Sequence, residues 1–101
     1  MKKGDIVLFK FPFSNMIGYK KRPCIVLSQN INNDVILCQV ISIKPEENYI
    51  TIINKCFDNK SYIKINKITT VDVSKIDSII GSIDDKEYKL LVDKISKLMT
   101  K

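Results

Sequence analysis

Of the 17 basic residues in this chain only one is an arginine, Arg22, set in the segment KKRPCIVL between a lysine pair and a proline. A guanidinium is planar, permanently charged and forked, so it can hold two oxygens of a phosphate or carboxylate at once. An ammonium offers a point charge on a flexible stem. Taken alone, a single arginine at a strand start is ordinarily an exposed cation, and the rest of the composition narrows what else it could do. The chain has no histidine, hence no imidazole base, no serine or cysteine triad of the usual kind and no His-ligated metal. Its three glycines form no Walker or dinucleotide-binding pattern. The acids that could converge on magnesium (Asp34, Glu46, Glu47, Asp58 and Asp84) fall in expected turns or at a helix cap, where carboxylates belong on other grounds. An enzyme built from these residues is expected to use no metal and no cofactor.

The totals bound the rest. A chain of 101 residues has room for one domain, spanning 1–101, and no second core. A net charge of +6 suits an anionic partner such as nucleic acid without requiring one. Cys24, Cys38 and Cys56 are odd in number, two of them inside apolar runs, with no C-x-x-C spacing; they read as free thiols acting as small core residues. No apolar stretch is long enough for a membrane span, and Asp5 and Lys10 interrupt any signal-like run. The expectation is a cytoplasmic protein with no membrane partner.

The elements that must position Arg22 are mostly short strands. DIVLFKF (5–11) alternates with both sides largely apolar, and PFSNMIGYKK supplies loop chemistry. RPCIVLS (22–28) is a second strand whose Pro23, lacking an N–H, should sit at its start or on an edge. VILCQVISI (35–43) reads as a long buried strand, YITII (49–53) and SYIKI (61–65) as a pair across a polar loop, and ITTVDV (68–73) as a last strand. SKIDSIIGSI (74–83) reads as a connector, with Gly81 permitting a positive backbone angle. Asp84 followed by Glu87 gives a capping-box start to a helix, and Tyr88, Leu91, Val92, Ile95, Leu98 and Met99 share one stripe of it. The fold class is mainly β with a C-terminal α-helix packed on a small curled sheet.

GDIVLFKFPFSN followed by KKRPCIVLS resembles the opening of the MazF/PemK toxins of bacterial toxin–antitoxin systems, with its Gly-Asp-Ile strand, Phe-Pro-Phe-like loop entry and Lys-Arg-Pro step. DVILCQVIS and IIGSIDDKEYKLLVDKISKL resemble the family's third strand and closing helix, so nearly the whole chain is covered. The resemblance implies a homodimer of SH3-like barrels (the CcdB/MazF-like fold) that cuts single-stranded RNA without metal. The 2′-hydroxyl attacks the adjacent phosphate, and an acidic cognate antitoxin is the expected partner. It assigns Arg22 to the family's arginine and Ser42 to the hydroxyl residue ending the third strand, where threonine is common. The physical case for Arg22 stands beside this. Cleavage builds negative charge on nonbridging phosphate oxygens that a guanidinium can hold, and its high pKa makes it a poor proton donor.

Lys20 and Lys21 are either solvated charges or sequence-blind phosphate contacts. Phe11 and Phe13 are either core and anchor residues or stacking platforms for bases beside Ser14 and Asn15. Other functions remain open on this fold. One is a non-catalytic poison resembling the CcdB gyrase inhibitors, although their Trp-Gly-Ile ending is missing from a chain that ends KLMTK. Another is an RNA-binding relative without cleavage. The dimer is expected to use ITTVDVSKI and part of the helix.

Overall fold

In the computed structural model, residues 1–12, 18–29 and 32–101 are described. Strands β1 (Asp5–Pro12), β2 (Tyr19–Gln29), β3 (Asp34–Ile41), β4 (Tyr49–Ile52), β5 (Ser61–Asp72) and β6 (Ile76–Ser82) precede one helix, α1 (Asp85–Met99). A single turn of 3₁₀ helix, Val73–Lys75, joins β5 to β6. The strands form one antiparallel sheet in the order β4-β5-β3-β2-β1-β6.

That order forces curvature. In a flat sheet β5 and β6 would lie four strand spacings apart, ~19 Å. The four residue steps from Asp72 to Ile76 reach ~14 Å at most, so the sheet must curl to let the short connection close. Val71 near the end of β5 and Ile76 at the start of β6 accordingly pack on the same cluster. The sheet is barrel-like and unclosed, since β4 and β6 do not pair.

Two apolar clusters result. One contains Ile6, Ile25, Cys38, Val40, Ile52, Ile63, Ile65 and Ile83, and α1 caps it through Leu91, which is fully buried. The other, on the opposite faces of β1 to β3, contains Val7, Phe9, Cys24, Val26, Val35 and Leu37. The Asp84–Glu87 capping box forms in both directions, at 2.7 and 3.1 Å. The Tyr88 hydroxyl donates to the Leu27 carbonyl and ties α1 to β2.

The structure departs from the sequence reading at several places. The segment read as a connector contains β6, which pairs with β1; Gly81 lies in that strand opposite Ile6. The glycines with positive φ are Gly4 and Gly18, and a Cβ on Gly81 would sit 3.4 Å from the Cys56 Sγ. SYIKI and ITTVDV are one strand, β5, with an irregularity at their junction. Pro23 lies inside β2 and, of the two places expected for it, takes the edge, since pairing with β3 begins only at Cys24. On α1, Val92 and Met99 are 42% and 69% exposed, so the buried stripe is narrower than the pattern implied.

Leu91→Ala should therefore lower the unfolding free energy by about 2–5 kcal/mol. Val92→Ala, one residue along, should change it by about 0.5 kcal/mol or less. Urea denaturation followed by circular dichroism measures both.

Candidate active site

The site begins with two strands that part. β2 pairs with β1 from Tyr19 to Ile25. With β3 it pairs only on the far side of Pro23, from Cys24↔Gln39 onward. β3 pairs with β5 on its other side along its length, from Asp34 opposite Asp72 to Ile41 opposite Tyr62, and beyond Gln39 it keeps that partner while losing β2. Pro23 stands at the fork and brings no N–H with which to continue a ladder. The segment before it is thus a local edge inside a six-stranded sheet, which is how an interior strand tolerates this residue.

The fork opens a cleft of about 520 Å³ lined by Lys20, Lys21, Arg22, Pro23, Val40, Ile41, Ser42, Ile43, Phe57 and Ser61. Arg22 enters from β2 and is half-buried; Ser42 enters just past the end of β3 and is exposed. Two residues remote in sequence, one a fork of donors and the other a hydroxyl, therefore face one space. Sheet alternation places Arg22 on the same face as Cys24, opposite Phe9 on β1.

The aromatic residues of β1 support the guanidinium. Phe9 and Phe11 pack edge to face with ring centroids 4.4 Å apart, and the Arg22 Cζ lies 5.9 Å from the Phe11 centroid, within cation–π range. Phe11 thus lies against the arginine. Its ring does not line the cleft that holds Ser42.

Lys21 and Lys20 differ. Lys21 forms a 3.0 Å ion pair with Asp77 of β6, and Lys10 approaches the same carboxylate at 3.9 Å. The hydrogen bond from Lys21 holds the Asp77 carboxyl below the usual carboxylate range, and the charges of Lys21 and Lys10 add to it. Lys20 is exposed, on β2 opposite Phe11. Phe13, Ser14 and Asn15, the other expected binding residues, lie outside the described residues.

Thiol chemistry is suppressed here. Burial above all, with Cys38 adding and Arg22 offsetting part, pushes the Cys24 thiol up to about 12. Burial likewise takes Cys38 up to about 12. Both are free thiols, as is the less buried Cys56. Among the described residues no group of three or more cysteines or acids is placed to hold a metal ion, and no helix is long and apolar enough to cross a membrane.

The sequence reading missed three polar residues beside Arg22. Gln39, Lys64 and Lys67 line a second cleft of about 430 Å³ together with Phe11, Arg22 and Ile41. They come from β3 and β5, and nothing in their local sequence marks them; only the strand order brings them to the arginine.

A curled antiparallel sheet with one helix, and a cleft lined by an arginine and a hydroxyl where two strands fork, define a small barrel-like β domain. The chain belongs to the PemK-like, MazF-like toxins of type II toxin–antitoxin systems, whose family model matches residues 2–99. No curated protein matches it significantly in sequence. Solved structures match it in shape. The MazE–MazF complex from Deinococcus radiodurans gives a TM-score of 0.80 at 16% identity, covering 99% of this chain and 96% of that one. An endoribonuclease in complex with its cognate antitoxin, from a mycobacterial species, gives 0.77 at 10% identity, covering 99% and 95%. A second mycobacterial endoribonuclease gives 0.76 at 10% identity, covering 99% and 91%. At such identities these likenesses establish the fold.

The thiol environment has a direct consequence. In native protein at pH 8, iodoacetamide should modify Cys56 first and leave Cys24 and Cys38 unreacted until the chain is unfolded; mass spectrometry of the peptides reads the order.

Proposed function

We propose that this toxin is an endoribonuclease that cuts single-stranded RNA, mRNA in particular, without a metal ion. The observation that carries the reading is the strand fork, which brings the guanidinium of Arg22 and the hydroxyl of Ser42 to one cleft. In the proposed reaction the 2′-oxygen bonds to the adjacent phosphorus and the bond to the 5′-oxygen breaks. The products are a 2′,3′-cyclic phosphate and a 5′-hydroxyl. The cleft is open to water, which can take the proton lost by the 2′-hydroxyl and supply the one gained by the 5′-oxygen.

Arg22 holds the nonbridging oxygens as their charge rises, and Ser42 donates a hydrogen bond to the same phosphate. This division follows from acidity, since a guanidinium keeps its protons at any working pH and stabilises charge rather than transferring it. Phe11 acts through Arg22 by fixing the plane of the fork. Lys20 contacts phosphate as a sequence-blind charge, and Lys21 shares its charge with Asp77. Choice of cleavage sequence is assigned to the segments 12–21 and 44–60. The toxin works as a homodimer, and an acidic antitoxin segment covers the basic cleft when cleavage is off. The likeness to an endoribonuclease in complex with its cognate antitoxin and to a MazE–MazF complex supports this reading.

The test is a conservative exchange. Arg22→Lys keeps the charge and the fold, and should lower cleavage of a long single-stranded RNA in EDTA by ~10²-fold or more. An oligonucleotide with a 2′-deoxy sugar at the scissile step should bind and stay intact. Near-normal cleavage by folded Arg22→Lys, or cleavage of the deoxy substrate, would overturn the mechanism.

A further inference from the structure

We propose that the second cleft, lined by Phe11, Arg22, Gln39, Ile41, Lys64 and Lys67, is a subsite for the nucleotide next to the scissile step. Lys64 and Lys67 hold its phosphate and Gln39 meets its base. The assignment rests on the first cleft being where RNA lies. The two clefts share Arg22 and Ile41, so a strand crossing the guanidinium passes from one directly into the other.

Charge is the first argument. The second cleft is lined by three cations and no carboxylate. Among the described residues neither Lys64 nor Lys67 has an acidic partner, whereas Lys10 and Lys21 share Asp77. Lys64 gives one hydrogen bond, at 3.4 Å, to the Glu47 carbonyl; an ammonium has two further donors. Three positive groups around one concavity favour a ligand that brings negative charge.

The backbone is the second argument. Cys38 and Val40, two residues apart on β3, face Ile68 and Ile63, five apart on β5. The surplus residues form an irregularity that contains both lysines. Irregularities of this kind interrupt a ladder and re-aim side chains, and they concentrate beside active sites. This one is held in place: the Cys38 thiol donates to the Lys64 carbonyl at 3.2 Å, and the Ile65 N–H donates to the Asn48 carbonyl at 3.0 Å. A regular β5 would have been simpler to build.

Gln39 supplies the third argument. It continues the face on which Val35 and Leu37 are buried, where an apolar residue would extend the core. It carries an amide instead, which has no protein partner among the described residues. An amide offers both donor and acceptor, the complement of a base edge, and Phe11 beside it offers a ring. A carboxylate-rich peptide would use the lysines and leave the amide and the ring idle, so RNA is the better fit.

The experiment measures binding of an RNA oligonucleotide with a 2′-deoxy scissile sugar, by fluorescence anisotropy over a range of salt. The double variant Lys64→Ala/Lys67→Ala should bind roughly 10-fold more weakly, and its log–log salt slope should be shallower by about 0.7, one phosphate contact on a single strand. Gln39→Ala should weaken binding without changing that slope, since it removes no charge. The control, Lys86→Ala/Lys89→Ala on α1, removes the same charge from residues that line neither cleft and should leave the slope unchanged. If the two double variants behave alike, or if Lys64→Ala/Lys67→Ala alters only antitoxin binding, the subsite is refuted. Wild-type protein that shows the lysine-dependent slope yet never cuts RNA would sink the cleavage reading and still support the subsite.

Discussion

The arrangement depends on the parting of β2 from β3 after the Cys24–Gln39 pair. An antiparallel ladder that continued would bring Pro23 beside Val40 and Arg22 beside Ile41, filling the space with backbone. Because the ladder stops, the outer part of β2 leans only on β1 and the outer part of β3 only on β5. Backbone groups on the facing sides of the fork are left to water or to a ligand. A gap of this kind is tolerable because it lies at the sheet's surface, and it is stable because each arm keeps one full partner strand.

Each face of the sheet then serves a different end. The cluster under α1 carries most of the large buried residues and is locked by Leu91 and the tyrosine link from Tyr88. The opposite cluster is smaller and ends at Phe9, which supports Phe11, which lies against Arg22. Two rings packed edge to face restrain a side chain that would otherwise sample many rotamers, and such restraint matters most where a charge must sit on a reacting group.

How far the sequence disclosed this follows the physics of each element. Arg22 stood out because it is the lone arginine and adjoins a proline, and the helix because its cap and spacing are local. Ser42 carried no signal of its own and entered through the family resemblance. β6 reads as a connector in sequence because Asp77, Ser78 and Gly81 break its apolar pattern; its strand character comes from pairing with β1, a tertiary fact. β5 read as two strands because the irregular stretch around Lys64 to Lys67 looks like a turn when only neighbours in sequence are considered. Pro23 keeps to a strand edge as expected, but which edge is not legible in sequence, since a local edge inside a sheet depends on where a neighbouring strand departs. The second cleft draws on β1, β2, β3 and β5, so no window of the sequence contains it.

The abundance of lysine around a single arginine then has a structural sense. Lysines such as Lys20, Lys64 and Lys67 need only deliver charge, and an ammonium on a long stem does that from many backbone positions. Lys10 and Lys21 are drawn to Asp77, which keeps part of the positive field away from the fork. Arg22 is the one charged residue that lines both clefts. A point charge at that position would be drawn to whichever side held the nearer anion. A planar fork steadied against Phe11 presents donors along two edges of one plane, so it can face both clefts without leaving its place.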